Sequence, residues 1–125
     1  MEPKTIGNAS RGIKAISRPR RDTILGVTSI VSGVTPTQMV GPVRRQPIAR
    51  ARQVAYWLMM MSGYSSTSVG AVFNRDHTTV LHGAHLIERL RSNHDAARHA
   101  TDALLSCCRN VPLMEGATET LAASW

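Results

Sequence analysis

Asn74-Arg75-Asp76-His77-Thr78-Thr79-Val80-Leu81-His82 is a tight turn that runs straight into a helix, and the rest of the chain reads as its support. Asp76 suits the N-cap, because its carboxylate can accept from the free backbone N–H groups of the first turn. Behind it, His77, Thr78, Thr79 and His82 carry the donors and acceptors that read base edges. Val80, Ala84 and Ile87 recur at helical spacing and predict an inward face. A helix that is polar in its first turn, positive there through its dipole and anchored from behind fits the major groove of DNA.

Working upstream, Ser65 predicts the cap of a short helix ending near Phe73, with Val69, Val72 and Phe73 inward. Gly70 in that helix lets another backbone come close. Two helices joined across Asn74-Arg75 form a helix-turn-helix pattern. Ahead of the Ser62-Gly63-Tyr64 turn, a longer helix is predicted from about Ile48 to Met61. Ile48, Ala51, Val54, Ala55, Leu58 and Met61 face inward, Arg50 and Gln53 lie opposite with Arg52 at the flank, and Trp57 and Met59 to Met61 read as packing residues. Arg44-Arg45-Gln46-Pro47 is a basic, extended connector. Thr35-Pro36-Thr37-Gln38 is a capping box with Pro at the first helical position, and Met39 and Val40 follow as its buried contacts.

Two further helices complete the pattern. One starts at Asp22, with Ile24, Val27, Ile30 and Val31 on one side and Gly33 as its C-cap. The last runs from an N-cap Asp95 to about Arg109 and packs through Ala97, Thr101, Leu104 and Cys108. The expected fold is therefore all-α, a small helical domain over residues 22–110. It is flanked by a disordered basic arm, 1–21, and a flexible tail, 111–125.

Composition narrows the function. A chain of 125 residues with formal charge +7 and pI near 10.7 fits a polyanion binder, the alternative on charge alone being a solvated basic surface with no specific partner. From Thr23 to Arg75 there is no acidic residue, so the basic charges there are unopposed. The arm adds Lys4, Arg11, Lys14, Arg18, Arg20 and Arg21. Cys107 and Cys108 are adjacent, poor geometry for a structural disulfide. No apolar run approaches the roughly 18–20 residues of a membrane span, so no membrane partner and a cytoplasmic setting are expected. His82 and His85 have a spacing that metal ligands use, but no second pair matches it, so no metal is expected. Nor is an enzyme or a cofactor, since Cys107 and Cys108 lack a matched base.

Arg75-Asp76-His77-Thr78-Thr79-Val80-Leu81-His82 resembles the signature of the C-terminal DNA-binding domain of the bacterial replication initiator DnaA. Ala51-Arg52-Gln53-Val54-Ala55 looks like that domain's junction between basic loop and helix, and Val69-Gly70-x-x-Phe73 matches its first helix-turn-helix element. The resemblance covers roughly Thr23 to Arg109, and it implies a DnaA C-terminal, Trp-repressor-like helical fold that binds the DnaA box in double-stranded DNA. By residue match it places Asp76, His77, Thr78 and Thr79 at bases in the major groove, with His82 one turn on. Arg44 takes the place of the minor-groove arginine, with Arg45 beside it, while Arg52 and Gln53 map to a pair that holds phosphate or base. Arg50 and Arg75 join the phosphate-contacting set. The family often has Gly-Gly where this chain has the single Asn74, and an apolar residue usual near Ser66 is missing.

No Gly-x-x-x-x-Gly-Lys-Ser/Thr loop is present, so the expectation is a free-standing reader of DnaA-box-like sites that modulates replication initiation or transcription without ATPase activity. A lone recognition helix is expected to bind asymmetrically, as a monomer. The alternative is a helical adaptor for initiator or replisome proteins, with incidental DNA contact.

Overall fold

A computed structural model describes residues 16–110. Residues 1–15 of the expected arm and the expected tail, 111–125, lie outside the described residues. Six helices follow one another: α1 (Arg18–Ser32), α2 (Pro36–Val40), α3 (Ile48–Met61), α4 (Ser66–Phe73), α5 (His77–Asn93) and α6 (Asp95–Asn110).

The first helix begins four residues before Asp22, which corrects the boundary of the arm. Ser17 is its N-cap, accepting from the Arg20 amide at 3.3 Å, and Pro19 sits in the first turn. Proline there lacks only an N–H that had no helical partner, so a residue that suggests disorder in isolation is in fact a helix start. Gly33 closes the helix at φ +76°, as expected. The expected inward face is half right: Ile24 and Val27 are buried, but Ile30 and Val31 are 56% and 64% exposed. Leu25 and Thr28 are buried in their stead, the Thr28 hydroxyl donating to the Ile24 carbonyl at 2.8 Å. Helix α2 carries the full capping box, with Thr35 Oγ1 accepting from the Gln38 amide at 3.1 Å and Gln38 Oε1 accepting from the Thr35 amide at 2.9 Å.

Helix α3 is the central post, packed against α1, α2, α4, α5 and α6. Ala55, Trp57, Leu58 and Met59 are completely buried, which explains why its amphipathic pattern is blurred: a helix surrounded on most sides has no broad polar face. Trp57 is tied as well as buried. Its indole N–H donates to Glu88 at 2.7 Å, and the Arg91 guanidinium lies 4.7 Å from the ring centroid. Arg91 then reaches across to α6, donating to Thr101 Oγ1 at 2.6 Å and Asp102 at 2.7 Å. The rear of α5 is thereby joined to both α3 and α6.

At eight residues, with a glycine and two valines inside it, α4 is too short to hold itself helical in water. Val69 and Phe73 are completely buried, and at roughly 1.5–3 kcal/mol for each such side chain this burial outweighs the poor propensity. Phe73 meets Tyr56 of α3 edge to face, ring centroids 5.0 Å apart. Asn74 ends α4 in the left-handed region at φ +54°. Asparagine is one of the few non-glycine residues that settle there, so it supplies the sharp turn for which a glycine would otherwise be used. Val80, Ala84 and Ile87 form the inward face of α5 as predicted. In α6, Thr101, Leu104 and Cys108 are buried as predicted, together with Leu105. Asp95 is the first residue of α6 and pairs with Arg98 at 3.1 Å; it is not the cap.

Candidate nucleic-acid interface

Two glycines set how α5 sits. A Cβ on Gly70 would lie 2.4 Å from the Arg75 carbonyl oxygen, so α4 touches the backbone of the turn ahead of α5. A Cβ on Gly83 would lie 2.7 Å from Cδ2 of Tyr56, so α5 presses directly on α3. These two contacts fix the angle and depth at which the first turn of α5 faces outward.

That first turn is capped as the sequence predicts. Asp76 Oδ2 accepts from the Thr78 amide at 2.9 Å, and the Thr78 hydroxyl donates to the same oxygen. The hydroxyl bond, then the amide bond, with nearby His77 adding to them, hold the Asp76 carboxyl below its ordinary range. His77 Nδ1 lies 3.8 Å from Asp76 Oδ1. Because the Thr78 proton is committed to Asp76, what this hydroxyl has left to offer a base is acceptor capacity and the methyl beside it. His77, Thr78, Thr79 and His82 are all exposed, the condition for reading a base edge.

Alongside them runs a groove of about 370 Å³ between α3 and α5. It is lined by Arg44, Arg52, Arg75 and Arg89 together with Gln53, Thr79 and His82, while Tyr56, Gly83 and Leu86 also line it. No carboxylate lines it, and among the described residues none of the four guanidiniums pairs with an acid. Like charges gathered without counter-charge repel one another, and a polyanion laid in the groove relieves that repulsion. Burial, Arg75 and Arg44 push the Arg52 pKa down against an opposing influence from Tyr56. The Tyr56 hydroxyl pKa is pushed up by burial, with Arg75 and Arg52 opposing.

The expected contact residues separate into distinct groups. Arg44, Gln53, Thr79 and His82 meet in the groove. Asp76 and His77 border a second hollow beside the α4–α5 turn, with Asn74 and Arg75. Arg45 is exposed on the connector without lining the groove, and Arg50 spends its Nε on Gln53 Oε1 at 3.1 Å. Arg52 differs from the others in its burial. Only 4% exposed, it donates from Nε to the Met39 carbonyl at 2.6 Å and from Nη2 to Gln38, Gly41 and Val43 carbonyls at 3.3, 3.2 and 2.6 Å. Its Nε and Nη2 are thus turned inward onto the framework, although the residue still lines the groove. Arg75 is half-buried and similarly engaged, donating to the Phe73 carbonyl at 2.7 Å and the Gly41 carbonyl at 2.8 Å.

Arg89 was missed. It is exposed and lines the groove, and the sequence held a usable sign of it. Thr79, His82, Leu86 and Arg89 follow one another at steps of three, four and three residues, which is a single stripe along a helix.

The family described as the bacterial DnaA protein helix-turn-helix matches residues 21–87, more than half of the chain. The chromosomal replication initiator protein DnaA of Caulobacter vibrioides is 35% identical over 85 residues, covering 66% of this chain and 17% of that protein. DnaA of Desulfatibacillum aliphaticivorans is 35% identical over 100 residues, 76% of this chain and 21% of its own length. DnaA of Roseobacter denitrificans is 46% identical over 57 residues, 44% of this chain and 13% of its own length. The chain thus spans about a fifth or less of the curated relatives it matches.

Proposed function

The chain belongs to the bacterial DnaA helix-turn-helix family and carries its DNA-binding element; on that premise we propose that it reads DnaA-box-like sites in double-stranded DNA. The observation that carries this reading is the acid-free groove of arginines running beside an exposed, Asp76-capped helix start. In the bound state the first turn of α5 enters the major groove, where Asp76, His77, Thr78 and Thr79 meet base edges and His82 follows one turn on. The threonine methyls suit thymine methyl groups, and Asp76 can accept from a cytosine amine with the oxygen that Thr78 does not use. Arg44, on the connector ahead of α3, enters the minor groove with Arg45 beside it. Arg89, Gln53 and Arg50 lie against phosphates and fix the register without reading sequence.

These 125 residues hold no Walker loop, so the reading of DNA by them needs no nucleotide step of their own. Occupying boxes would modulate replication initiation or nearby transcription by competing for sites, on the chromosome, in the cytoplasm. Affinity rests mostly on phosphate neutralisation and falls steeply with salt, with a slope of about −0.9 per phosphate contact.

The deciding experiment is a titration of a DnaA-box duplex and a scrambled duplex at one fixed salt concentration. Tighter binding to the box is expected. Thr78→Ala and His77→Ala should each narrow that preference by about 1–3 kcal/mol. Equal affinity of the unaltered protein for the two duplexes would refute the reading.

A further inference from the structure

We propose that Arg52 and Arg75 are positioning residues that lock the basic connector to the recognition helix, so that the minor-groove and major-groove elements engage DNA as one unit. The inference rests on the DNA-binding reading above. It starts from a shared acceptor. The Gly41 carbonyl receives Arg52 Nη2 at 3.2 Å and Arg75 Nη2 at 2.8 Å, one guanidinium from α3 and the other from the turn ahead of α5.

Each guanidinium has a second anchorage. Arg52 also holds the carbonyls of Gln38 and Met39 at the end of α2 and that of Val43, the residue directly before Arg44. Arg75 also holds the Phe73 carbonyl at the end of α4, and its amide donates to Gly70 at 2.9 Å. A planar fork with five donors suits such a role, because several carbonyls aligned with it fix its orientation as well as its position. Carbonyls in the last turns of α2 and α4 have lone pairs to spare, which lets buried Arg52 and half-buried Arg75 settle without a carboxylate. The path runs unbroken from Val43, beside the minor-groove arginine, through Arg52, Gly41 and Arg75 to Asp76, the cap of the recognition helix. No member of it needs to touch DNA.

The test is a double-mutant cycle on the full chain. Dissociation constants are measured for the unaltered protein, Arg52→Met, Arg44→Ala and the double variant, on whichever duplex binds, with circular dichroism confirming the folded state at the assay temperature. Arg52→Met is expected to weaken binding on the order of tenfold alone and less than twofold in the Arg44→Ala background, because it acts through the placement of the connector. Arg52→Lys, which keeps the charge but not the fork, should fall between. Hydroxyl-radical footprints of Arg52→Met should lose minor-groove protection, while guanine N7 protection by α5, read with dimethyl sulfate, persists. If Arg52→Met does not fold, Arg75→Met is put through the same cycle with Arg44→Ala. Additive losses would overturn the proposal, since they mean an independent DNA contact. Uniform loss of both footprints, or binding unchanged by Arg52→Met or its substitute, would overturn it as well. Absence of box preference in the unaltered protein bears on the DnaA-box reading alone and leaves the cycle readable.

Discussion

Gly70→Ala tests the geometry of the helix-turn-helix more sharply than any change at the DNA-facing surface. The added methyl would lie 2.4 Å from the Arg75 carbonyl oxygen and 3.5 Å from its carbon. Relief requires the two backbones to separate by about an ångström, given that carbon and its neighbours settle at roughly 3.5–4.0 Å. The obstacle cannot swing aside as a side chain would, because Arg75 is tied by its amide to the Gly70 carbonyl and by its guanidinium to Gly41 and Phe73. Forced overpacking of this kind costs about 1–3 kcal/mol, here toward the upper end. Alanine recovers about 0.8–1.0 kcal/mol of helix propensity over glycine. The net expectation is destabilisation of about 1–2 kcal/mol, or a melting temperature lowered by roughly 5–15 °C for a domain of this size. Urea unfolding and thermal melting followed at 222 nm measure it. Gly33→Ala is the control, since its Cβ would meet nothing within 4 Å and only the φ of +76° opposes it. It should cost about 1 kcal/mol and leave DNA affinity alone, whereas Gly70→Ala also weakens box binding by displacing α5. A Gly70→Ala protein as stable as the parent would refute the close approach of α4 to the turn.

Asn74 at φ +54° predicts opposite outcomes for two small substitutions. Asn74→Ala should lower stability by about 1 kcal/mol, whereas Asn74→Gly should be neutral or better; a reversed order in denaturant midpoints would count against the left-handed turn. The Asp76 carboxyl is held below its ordinary 3.8 in the folded chain, so its stabilising contribution is complete above that value and fades as pH falls through the lower, folded one. The stability difference between the parent and Asp76→Asn should therefore shrink as pH is lowered from about 4, the ordinary carboxylate value, toward the lower folded one, and a constant difference would contradict the capping geometry. Burial, with Cys107 adding to it, pushes the Cys108 thiol up to about 12, while Cys107 is exposed. An aromatic disulfide reagent at neutral pH should label one thiol per native chain and both in denaturant. Rapid labelling of both in the native protein would mean that α6 does not pack as described.

Much of this arrangement was legible in the sequence because it depends on local chemistry. Caps at Thr35, Ser65 and Asp76 and the inward stripe Val80, Ala84 and Ile87 are set by spacing of three and four residues, which a linear chain displays. The start of α1 was not, since Arg18 to Arg21 look like a solvated arm until Ser17 and Pro19 are taken as a helix start. Ile30 and Val31 show the opposite error: periodicity places them with Ile24, but among the described residues nothing covers them at the last turn of α1. At the site, the sequence named Arg44, Arg52 and Arg75, which the structure gathers in one groove, without separating their surroundings. Arg44 and Arg52 look alike as letters, and they differ in whether carbonyls of α2 and its connector happen to surround the guanidinium. That is a tertiary fact, set by residues 9–14 positions away. Arg89 fell outside the short signature although it shares its stripe.

The clamp at Arg91 makes α5 a beam supported at both ends. Its far end is gripped between the Trp57 ring and Asp102, thirteen residues or about 20 Å from Thr78 at the helical rise. Its near end rests on the turn at Gly70 and on Tyr56 at Gly83. A beam held at two points cannot pivot about either one, so loosening Arg91 alone would leave its first turn seated while freeing its last turns from α6.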